Sequence, residues 1–234
     1  QHENPEYGFN YGHCTIAHNM SISDDQLRAV LATYDRSTVL YARDILGKRK
    51  AAEGLVYPFF SAGQATYLFH GAASHIDGQF YVSIDYGTHN PCSMGLWVIH
   101  DGKALRIKES YFDSRAERVQ RTDEERYYIQ AVVVDPSAAS FIETIRRHGK
   151  YLVIPADNDV LNGIRCVASL MQAGLVTIHE SCAASRREFG LYSWDDKAKE
   201  DRVVKENDHA MDDIRYFCYT ILAPLIRWAD WRRK

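Results

Sequence analysis

The chain has 234 residues, of which 46% are hydrophobic and 25% charged, and its formal net charge is −3. This length suffices for the core of one sizeable domain, and the slightly negative charge argues against a globally basic nucleic-acid binder while permitting a local basic face. The sequence shows no apolar run of the ~20 residues that a membrane helix needs, no layout of a secretory signal at its start and no zinc-site spacing among its five cysteines, which favours reduced, structural thiols in a cytosolic protein.

The first part of the chain predicts irregular structure followed by helices. Residues 1–20 show no helical or strand periodicity. Ser23 then opens a predicted helix, and Gln26 stands three positions later, as in a capping box. A second short helix is predicted over 37–46, and residues 54–60 are predicted to form a connector.

The middle of the chain predicts three strands. The runs QFYVSIDYGT, CSMGLWVIH and KALRIKESYF are rich in β-branched and aromatic residues, which is typical of strands. Asp101 and Gly102 join the second run to the third, and this pair favours a type I′ hairpin turn. An antiparallel meander of three strands is therefore expected.

The remainder of the chain alternates between helix and strand. The predicted order is helix 123–131, strand 131–135, helix 138–148, strand 151–154, helix 158–173, a short edge strand at 175–179, and a closing helix from Asn207 or Asp208 to near Pro224. A meander followed by this alternation is the element order of a ribonuclease-H-like fold. We therefore expect a mixed α/β sheet with helices on both faces.

Three acids and one histidine are the candidates for chemistry. Asp85 ends the first predicted strand, Asp135 ends the fourth, and Asp212 lies at the start of the closing helix. If the first and fourth strands are neighbours, Asp85 and Asp135 project together from one edge of the sheet. Carboxylates that converge repel unless a cation such as Mg²⁺ or Mn²⁺ lies between them. His209 precedes Asp212 by one turn and could bind metal, orient water or transfer a proton.

A structural role is the alternative for each acid. An Asp after a strand often forms a turn, and Asp135 could simply cap the next helix. The helix macrodipole favours acids near a helix start, which would explain Asp212 and Asp213 without chemistry.

Basic residues could contact a phosphate backbone. Arg146, Arg147 and Lys150 cluster after Asp135, and binding through them would be independent of sequence and weakened by salt. Arg106 and Lys108 are expected to share one face of the third strand.

Four strings resemble the large terminase subunits of tailed phages and related prophage packaging proteins. They are VSIDYGTHNP, VVVDPSAASFIETIRRHG, VIPADNDVLNGIRCVASLM and KENDHAMDDIRY. Their order and approximate spacing are those of that family's nuclease domain. The resemblance implies a ribonuclease-H-like nuclease that cuts concatemeric double-stranded DNA during headful packaging, with little sequence preference.

The resemblance also implies the site and its context. It assigns the metal-binding and catalytic roles to Asp85, Asp135, His209 and Asp212, with two Mg²⁺ or Mn²⁺ ions, and it leaves Asp213 as an alternative ligand. The implied partners are double-stranded DNA, the portal protein, the small terminase subunit and the ATPase domain of the same polypeptide, in the host bacterial cytoplasm.

The start of the chain is also similar to this family, in the segment that joins the packaging ATPase to the nuclease. We therefore expect a helical linker over residues 1–50 and a nuclease domain over 51–234. The chain shows no G-x-x-x-x-G-K-[ST] phosphate loop, so it cannot be the motor by itself. Either the ATPase has been removed or the protein is naturally short, and we expect the former.

Two other functions stay open at this point. The DYGT string after a strand also resembles the first phosphate motif of actin-like ATPases, although the remaining chain offers no second Gly-rich phosphate motif. A non-catalytic docking module for the packaging machinery is the other alternative.

Overall fold

The computed structural model describes residues 3–4, 9–10, 14–32, 41–47, 53–72, 76–87, 91–112, 127–198 and 200–226. Its strands are β1 (Glu3–Asn4), β2 (Phe9–Asn10), β3 (Leu68–Phe69), β4 (Gln79–Asp85), β5 (Cys92–His100), β6 (Lys103–Phe112), β7 (Ile129–Val134), β8 (Val153–Pro155) and β9 (Val176–His179). Its α-helices are α1 (Asp24–Ala32), α2 (Pro58–Ala62), α3 (Gln64–Tyr67), α4 (Ala139–His148), α5 (Val160–Gln172), α6 (Ala183–Phe189) and α7 (His209–Phe217). A 3-10 helix covers Ile16–His18, and π-helical segments cover Tyr41–Ile45 and Cys218–Leu222.

The antiparallel part of the main sheet is a three-stranded meander. β4 pairs with β5, and β5 pairs with β6. Between β5 and β6, Asp101 and Gly102 both have positive φ, at 48° and 74°. A type I′ hairpin turn requires positive φ at both of its central residues. The predicted meander and its two-residue turn are therefore confirmed.

Parallel strands extend this meander on both sides. β7 adds to β4 and β8 adds to β7, whereas β9 adds to β6 and β3 adds to β9. The resulting order is β3-β9-β6-β5-β4-β7-β8, which confirms the predicted mixed sheet of the ribonuclease-H-like fold. The prediction of an edge strand at 175–179 is wrong, because Leu68 and Phe69 pair on the outer side of β9.

Helices cover both faces of this sheet. Side chains alternate along a strand, and in β7 Val133 belongs to the larger core, which includes Ile214 of α7 and residues of α5 and α6. Val132 and Val134 pack instead in a second cluster with Ile142 of α4. The sheet therefore lies between α4 on one side and α5 to α7 on the other, as predicted.

The predicted capping features of two helices, α1 and α4, are confirmed. Ser23 N donates to Gln26 Oε1 at 3.0 Å, and Gln26 N donates to Ser23 Oγ at 3.3 Å, so the predicted capping box precedes α1. Gly149, with φ of 65°, follows α4 in the left-handed conformation. The predicted connector at 54–60 is helical from Pro58 onwards.

Other helix limits are wrong. The helix predicted over 123–131 overlaps β7, which begins at Ile129, and residues 123–126 lie outside the described ones. Burial between two layers favours a strand for this β-branched run and outweighs its local periodicity. The helix predicted over 37–46 is described only from residue 41, where it is π-helical. By contrast, the closing helix, predicted to end near Pro224, is described through residue 226, which agrees with the prediction to within two residues.

The segment before residue 50 packs on α5. Ile45 is buried, and Asp44 lies 3.1 Å from Arg165 in an ion pair. The predicted domain boundary at residue 50 stays a prediction. In the described residues no helix is long and apolar enough to cross a membrane, and the five cysteines, all within the described ranges, form no disulfide.

Helix α7 is held on the sheet by a charged side chain without solvent access. Asp213 of α7 and Arg106 of β6 are both 0% exposed. The carboxylate of Asp213 accepts from both terminal nitrogens of the Arg106 guanidinium and from the hydroxyls of Ser83 and Ser93. Gly95 of β5 leaves the space for this guanidinium, since a Cβ at that position would overlap Arg106 Nη1.

The prediction that Arg106 and Lys108 share one face of their strand is wrong. Arg106 pairs with Trp97 of β5, and Lys108 pairs with Leu96, the neighbouring residue. Ile107 is therefore the extra residue of a β-bulge, which interrupts the alternation of side chains. As a result Arg106 turns into the core, and Lys108 stays exposed.

Breaking the Arg106–Asp213 ion pair should destabilise the fold strongly. Asp213→Ala removes the hydrogen-bonded counter-charge of the buried guanidinium and leaves it Glu109, 3.7 Å away, as its remaining anion. We therefore expect the free energy of unfolding to fall by about 3 kcal/mol, measured by urea denaturation. The double variant Arg106→Met with Asp213→Leu should lose less free energy of unfolding than Arg106→Met and Asp213→Leu lose together as single variants. Glu143→Ala, which breaks an exposed ion pair with Arg147, is the matched control and should cost less than about 1 kcal/mol. Strictly additive losses would contradict this coupling.

Candidate active site

Asp85 and Asp135 lie side by side at one edge of the sheet. Asp85 ends β4, and Asp135 directly follows β7. The two strands are parallel with Ile84 opposite Val134, and Asp135 N donates to Ile84 O at 3.2 Å. Ligands of α/β sheets collect beyond the carboxyl ends of parallel strands. The structure thus brings together the two strand acids that the sequence singled out.

His209, the first residue of α7, reaches the same edge. Its Nδ1 lies 2.8 Å from Asp85 Oδ2, although the two residues are 124 positions apart in the chain. This hydrogen bond raises the pKa of His209. Burial raises the pKa of Asp85 to about 6, and the negative charges of Asp212 and Asp213 contribute to the rise. The carboxylate of Asp85 is therefore held at an edge that carries surplus negative charge.

The hydroxyl of Tyr216 in α7 is sensitive to all three candidate acids. The pKa of its hydroxyl is raised, first by burial and then by the negative charges of Asp212, Asp85 and Asp135. All three candidate acids therefore act electrostatically on one and the same hydroxyl.

Asp212 is nearly buried, and protein cations contact both of its oxygens. Its Oδ1 accepts from Arg215 Nη2 at 2.9 Å, and its Oδ2 accepts from Lys205 Nζ at 3.2 Å. Lys205 Nζ also lies 3.3 Å from Asp208 Oδ2. Arg215, which is itself buried, donates to Asn158 Oδ1 at 3.0 Å. The negative charge of Asp212 is therefore balanced within the protein.

The position of Arg215 depends on a glycine of α5. A Cβ at Gly163 would lie 2.5 Å from Cγ and 2.7 Å from Cδ of Arg215. These atoms belong to the stem of the side chain, so the stem could move aside only by drawing the guanidinium away from Asp212. Helices α5 and α7 therefore determine the place of Asp212 together.

The two neighbouring acids of α7 have separate surroundings. Asp213 points into the core, where Arg106 and two serine hydroxyls occupy its oxygens. Asp212 instead contacts Lys205, whose side chain is largely exposed. The sequence left open which of the two acids belongs to the site, and the structure gives Asp213 an anchoring contact.

Among the described residues, no group of three or more His, Cys, Asp or Glu side chains is already gathered at metal-binding distances. Each candidate acid has a protein partner instead. Asp85 bonds to His209, and two cations contact Asp212. Asp135 Oδ1 accepts from Ser137 N at 2.9 Å.

The donor set nevertheless fits a hard divalent cation. Asp85, Asp135 and Asp212 offer carboxylate oxygens, which favour Mg²⁺ or Mn²⁺ over softer metals. Because burial and neighbouring acids raise the pKa of Asp85, a cation bound there would relieve an existing electrostatic cost. Binding would require Asp212 to exchange at least one of its present cationic partners.

The basic cluster lies near the amino ends of the parallel strands, at the edge of the sheet opposite the acids. It comprises Arg146, Arg147 and Lys150. Helix α4 begins after Asp135 and has 10 residues, which carry the chain away from the acids by roughly 15 Å. Lys150 then precedes β8, which runs parallel to β7, so these cations are near the amino ends of both strands. Their closeness to Asp135 in sequence is not closeness in space, and a DNA contact at this surface stays a prediction.

Sequence analysis missed four residues that surround the site. Lys205 and Arg215 each lie three positions from an acid that they contact, and this spacing was a usable signal. Tyr111 and Glu188 are 77 positions apart, and the Tyr111 hydroxyl donates to Glu188 Oε1 at 2.7 Å. A contact over this separation leaves no local trace in the sequence.

No family model matches the chain. The terminase large subunit of Escherichia phage T5 is 26% identical over 152 residues, which cover 60% of this chain and 35% of that protein. The solved large terminase of the thermophilic bacteriophage D6E, in complex with ADP, is 36% identical with a TM-score of 0.80, over 93% of this chain and 56% of that one. The large terminase nuclease domain from bacteriophage SPP1 with bound Mn is 20% identical with a TM-score of 0.50, over 66% of this chain and 97% of that domain.

These matches differ in what they cover. The chain spans little more than half the length of the D6E protein and about a third of the T5 protein. The SPP1 domain is instead matched over nearly all of its length. At this lower identity the match shows a common fold.

Removing the charge of Lys205 should strengthen the binding of a divalent cation. The ammonium lies 3.2 Å from Asp212 Oδ2 and opposes an incoming cation, so we expect Lys205→Met to bind Mn²⁺ about tenfold more tightly, or ~1.4 kcal/mol. Isothermal titration calorimetry measures this affinity. Lys103→Met, at an exposed position beside the β5–β6 hairpin turn, is the matched control. Equal or weaker binding by Lys205→Met would mean that Lys205 does not compete with the metal.

Proposed function

We propose that this chain, a relative of the tailed-phage large terminases with the ribonuclease-H-like fold of their nuclease domains, is a metal-dependent endonuclease that cuts double-stranded DNA. The observation that carries the proposal is the position of Asp85 and Asp135 at adjacent strand ends, with His209 of α7 bonded to Asp85. Acids gathered at such an edge suit hydrolysis of a phosphodiester. The match to a nuclease domain over most of its length supports this activity.

Asp85, Asp135 and Asp212 would hold the metal, which we propose to be two Mg²⁺ or Mn²⁺ ions. When bound, such a pair activates a water molecule and stabilises the leaving oxygen of the phosphodiester. The SPP1 nuclease domain with bound Mn supports a divalent cation. Asp212 is the ligand from α7 in this proposal, because Asp213 is buried in its ion pair with Arg106.

His209 would orient Asp85 and carry a proton beside it. The hydrogen bond between them holds the carboxylate at the end of β4 and raises the pKa of the imidazole. The protonated ring then offsets part of the repulsion among the acids. Because the ring is partly exposed, it can also exchange its proton with water or substrate.

The wider role that we propose is the cutting of phage DNA during genome packaging. The names of the T5 and D6E relatives support this context, and the ADP in the D6E structure supports a nucleotide-binding part in terminases of this kind. The partners would be an ATPase domain of the same polypeptide, the portal protein and the small terminase subunit, in the host bacterial cytoplasm. Recognition through phosphates would make cutting largely independent of sequence.

Replacing the candidate acids should abolish cutting while the chain stays folded. Asp212→Asn should also lower the free energy of unfolding, because it removes the counter-charge of the buried Arg215. We expect Asp85→Asn, Asp135→Asn and Asp212→Asn each to leave supercoiled plasmid intact in Mg²⁺ or Mn²⁺, as a chelator does with the parent chain, because each variant removes an anionic ligand. Gel analysis of nicked and linear plasmid measures the rate, and circular dichroism checks the fold. Asp101→Asn, in an exposed hairpin turn that favours Asn, is the control.

Two results would refute this assignment. If all three acid variants cut plasmid at the rate of the parent chain, these residues do not form the active site. A parent chain that leaves plasmid intact with either metal would favour a non-catalytic docking module, and ATP hydrolysis without metal-dependent nicking would favour an actin-like ATPase.

Replacing His209 should slow cutting more than it alters stability. His209→Gln removes the proton carrier beside Asp85, so we expect a rate about 100-fold lower and a free energy of unfolding within about 1 kcal/mol of the parent. Initial rates of plasmid nicking and urea denaturation give the two values. His100→Gln, at the far end of the meander, is the control, and an unchanged rate in His209→Gln would reduce that residue to a packing role.

A further inference from the structure

A carboxylate without solvent access joins α6 to the start of α7. Glu188 is 0% exposed, and its Oε2 accepts from Ala210 N at 2.7 Å while its Oε1 accepts from the Tyr111 hydroxyl at 2.7 Å. A buried carboxylate is tolerated only when donors satisfy its oxygens. Ala210 directly follows His209, so Glu188 fixes the first turn of α7 beside the proposed site.

Arg187 carries its charge on the outer side of this buried unit. Its guanidinium carbon lies 5.1 Å from the centre of the Tyr111 ring, and its Nη2 lies 3.5 Å from Glu188 Oε1. Its side chain is 51% exposed. The same Tyr111 ring meets the His209 ring at 6.4 Å between centres, in an edge-on arrangement. A single aromatic ring therefore contacts both an exposed guanidinium and the ring of His209.

The acidic edge repels a DNA phosphate, so a strand bound there needs a nearby cation with donors to spare. In the described surroundings of the site, Arg106 and Arg215 are buried against acids, and Lys205 contacts two carboxylates. Arg187 differs from Arg106 and Arg215 because half of its side chain faces solvent. It differs from Lys205 because Lys205 is shared between two carboxylates at 3.2 and 3.3 Å, whereas Arg187 lies 3.5 Å from the single carboxylate of Glu188. A planar guanidinium held over an aromatic ring can offer two N–H groups to one phosphate.

We propose that Arg187, held by Tyr111 and Glu188, binds a backbone phosphate of double-stranded DNA beside the position that is cut. This role rests on the proposed function and adds a substrate-binding residue to it. A phosphate contact distinguishes no base, so Arg187 would position a strand of any sequence. Arg187 acts in binding and takes no part in moving the proton or the metal.

The cluster of Arg146, Arg147 and Lys150 offers a different surface to DNA. It lies toward the opposite edge of the sheet from Asp85, at the end of α4. In this proposal, a strand bound at the acids contacts Arg187 and does not need the cluster of Arg146, Arg147 and Lys150. Substitutions at the two surfaces therefore separate the two binding modes.

Binding of a short, fluorescently labelled DNA duplex tests this role directly. We measure it by anisotropy in chelator at several salt concentrations, in an Asp135→Asn background that does not cut. Arg187→Ala should weaken binding about tenfold and reduce the slope of log affinity against log salt by about 0.9, the effect of one lost phosphate contact. Arg187→Lys should restore the slope and only part of the affinity, because it lacks the planar fork.

Cutting by the otherwise unaltered chain provides a second readout. Arg187→Ala should raise the KM for plasmid about tenfold and leave kcat within about twofold, since a uniform binding contact is lost. Arg28→Ala, at an exposed arginine of α1 that pairs with Asp25, is the matched control and should change neither value. Arg187→Gln keeps a stem over Tyr111 and replaces the Ala variant if thermal unfolding shows that the latter is not folded.

The outcomes distinguish this role from the nuclease proposal. If Arg187→Ala binds DNA with the affinity and salt dependence of the parent chain, the phosphate contact at Arg187 is overturned. If Arg147→Ala then lowers both the affinity and the salt slope, DNA binds at the opposite edge of the sheet. If the parent chain cuts with neither metal while Arg187→Ala still lowers affinity and slope, the nuclease proposal fails and the phosphate contact stands.

Discussion

Asp213 can be buried only where Arg106 meets it, and this ion pair fixes helix α7 on the sheet. A buried carboxylate without a partner costs several kcal/mol, so rotations of α7 that part Asp213 from Arg106, Ser83 and Ser93 are strongly disfavoured. Successive residues of a helix point about 100° apart. Once Asp213 points into the core, Asp212 must point elsewhere, and it meets Lys205. The anchor of the helix thereby sets the orientation of the residue proposed to bind metal.

Protein cations already offset two of the three candidate acids at the edge of the sheet beyond β4 and β7. His209 offsets Asp85, while Lys205 and Arg215 offset Asp212. A metal ion that binds here therefore displaces cationic partners that are already present. In this respect the edge differs from a rigid, preformed metal site. Lys205 is the more exposed of the two cations at Asp212, and so it is the one that can leave at lower cost.

The elements that the sequence predicted correctly are those with local causes. The hairpin at Asp101 and Gly102 follows from backbone preferences of two adjacent residues, and the proximity of Asp85 to Asp135 follows once the strand order is known. The assignment of the acids to a site came with the resemblance to terminases, because periodicity alone also allowed turns and caps. Local patterns therefore specified the frame of the fold better than its chemistry.

The features that sequence reasoning missed depend on distant contacts. The β-bulge at Ile107 reverses the face of Arg106, and nothing in its strand's alternating pattern announces it. Glu188 acquires its role from Tyr111 and Ala210, which belong to other elements. Two-residue β3 is too short for a periodic signal, yet it moves β9 away from the edge.

The clearances at Gly95 and Gly163 restrict how this protein can evolve. Each glycine faces the side chain of a buried arginine, Arg106 or Arg215 respectively, at a distance that leaves no space for a methyl group. A lineage that acquires alanine at either glycine must shorten or redirect the facing arginine, and that change unbalances Asp213 or Asp212 in turn. We therefore expect position 95 to co-vary with position 106 among homologues, and position 163 with position 215. The acids of α7 hold both arginines in place.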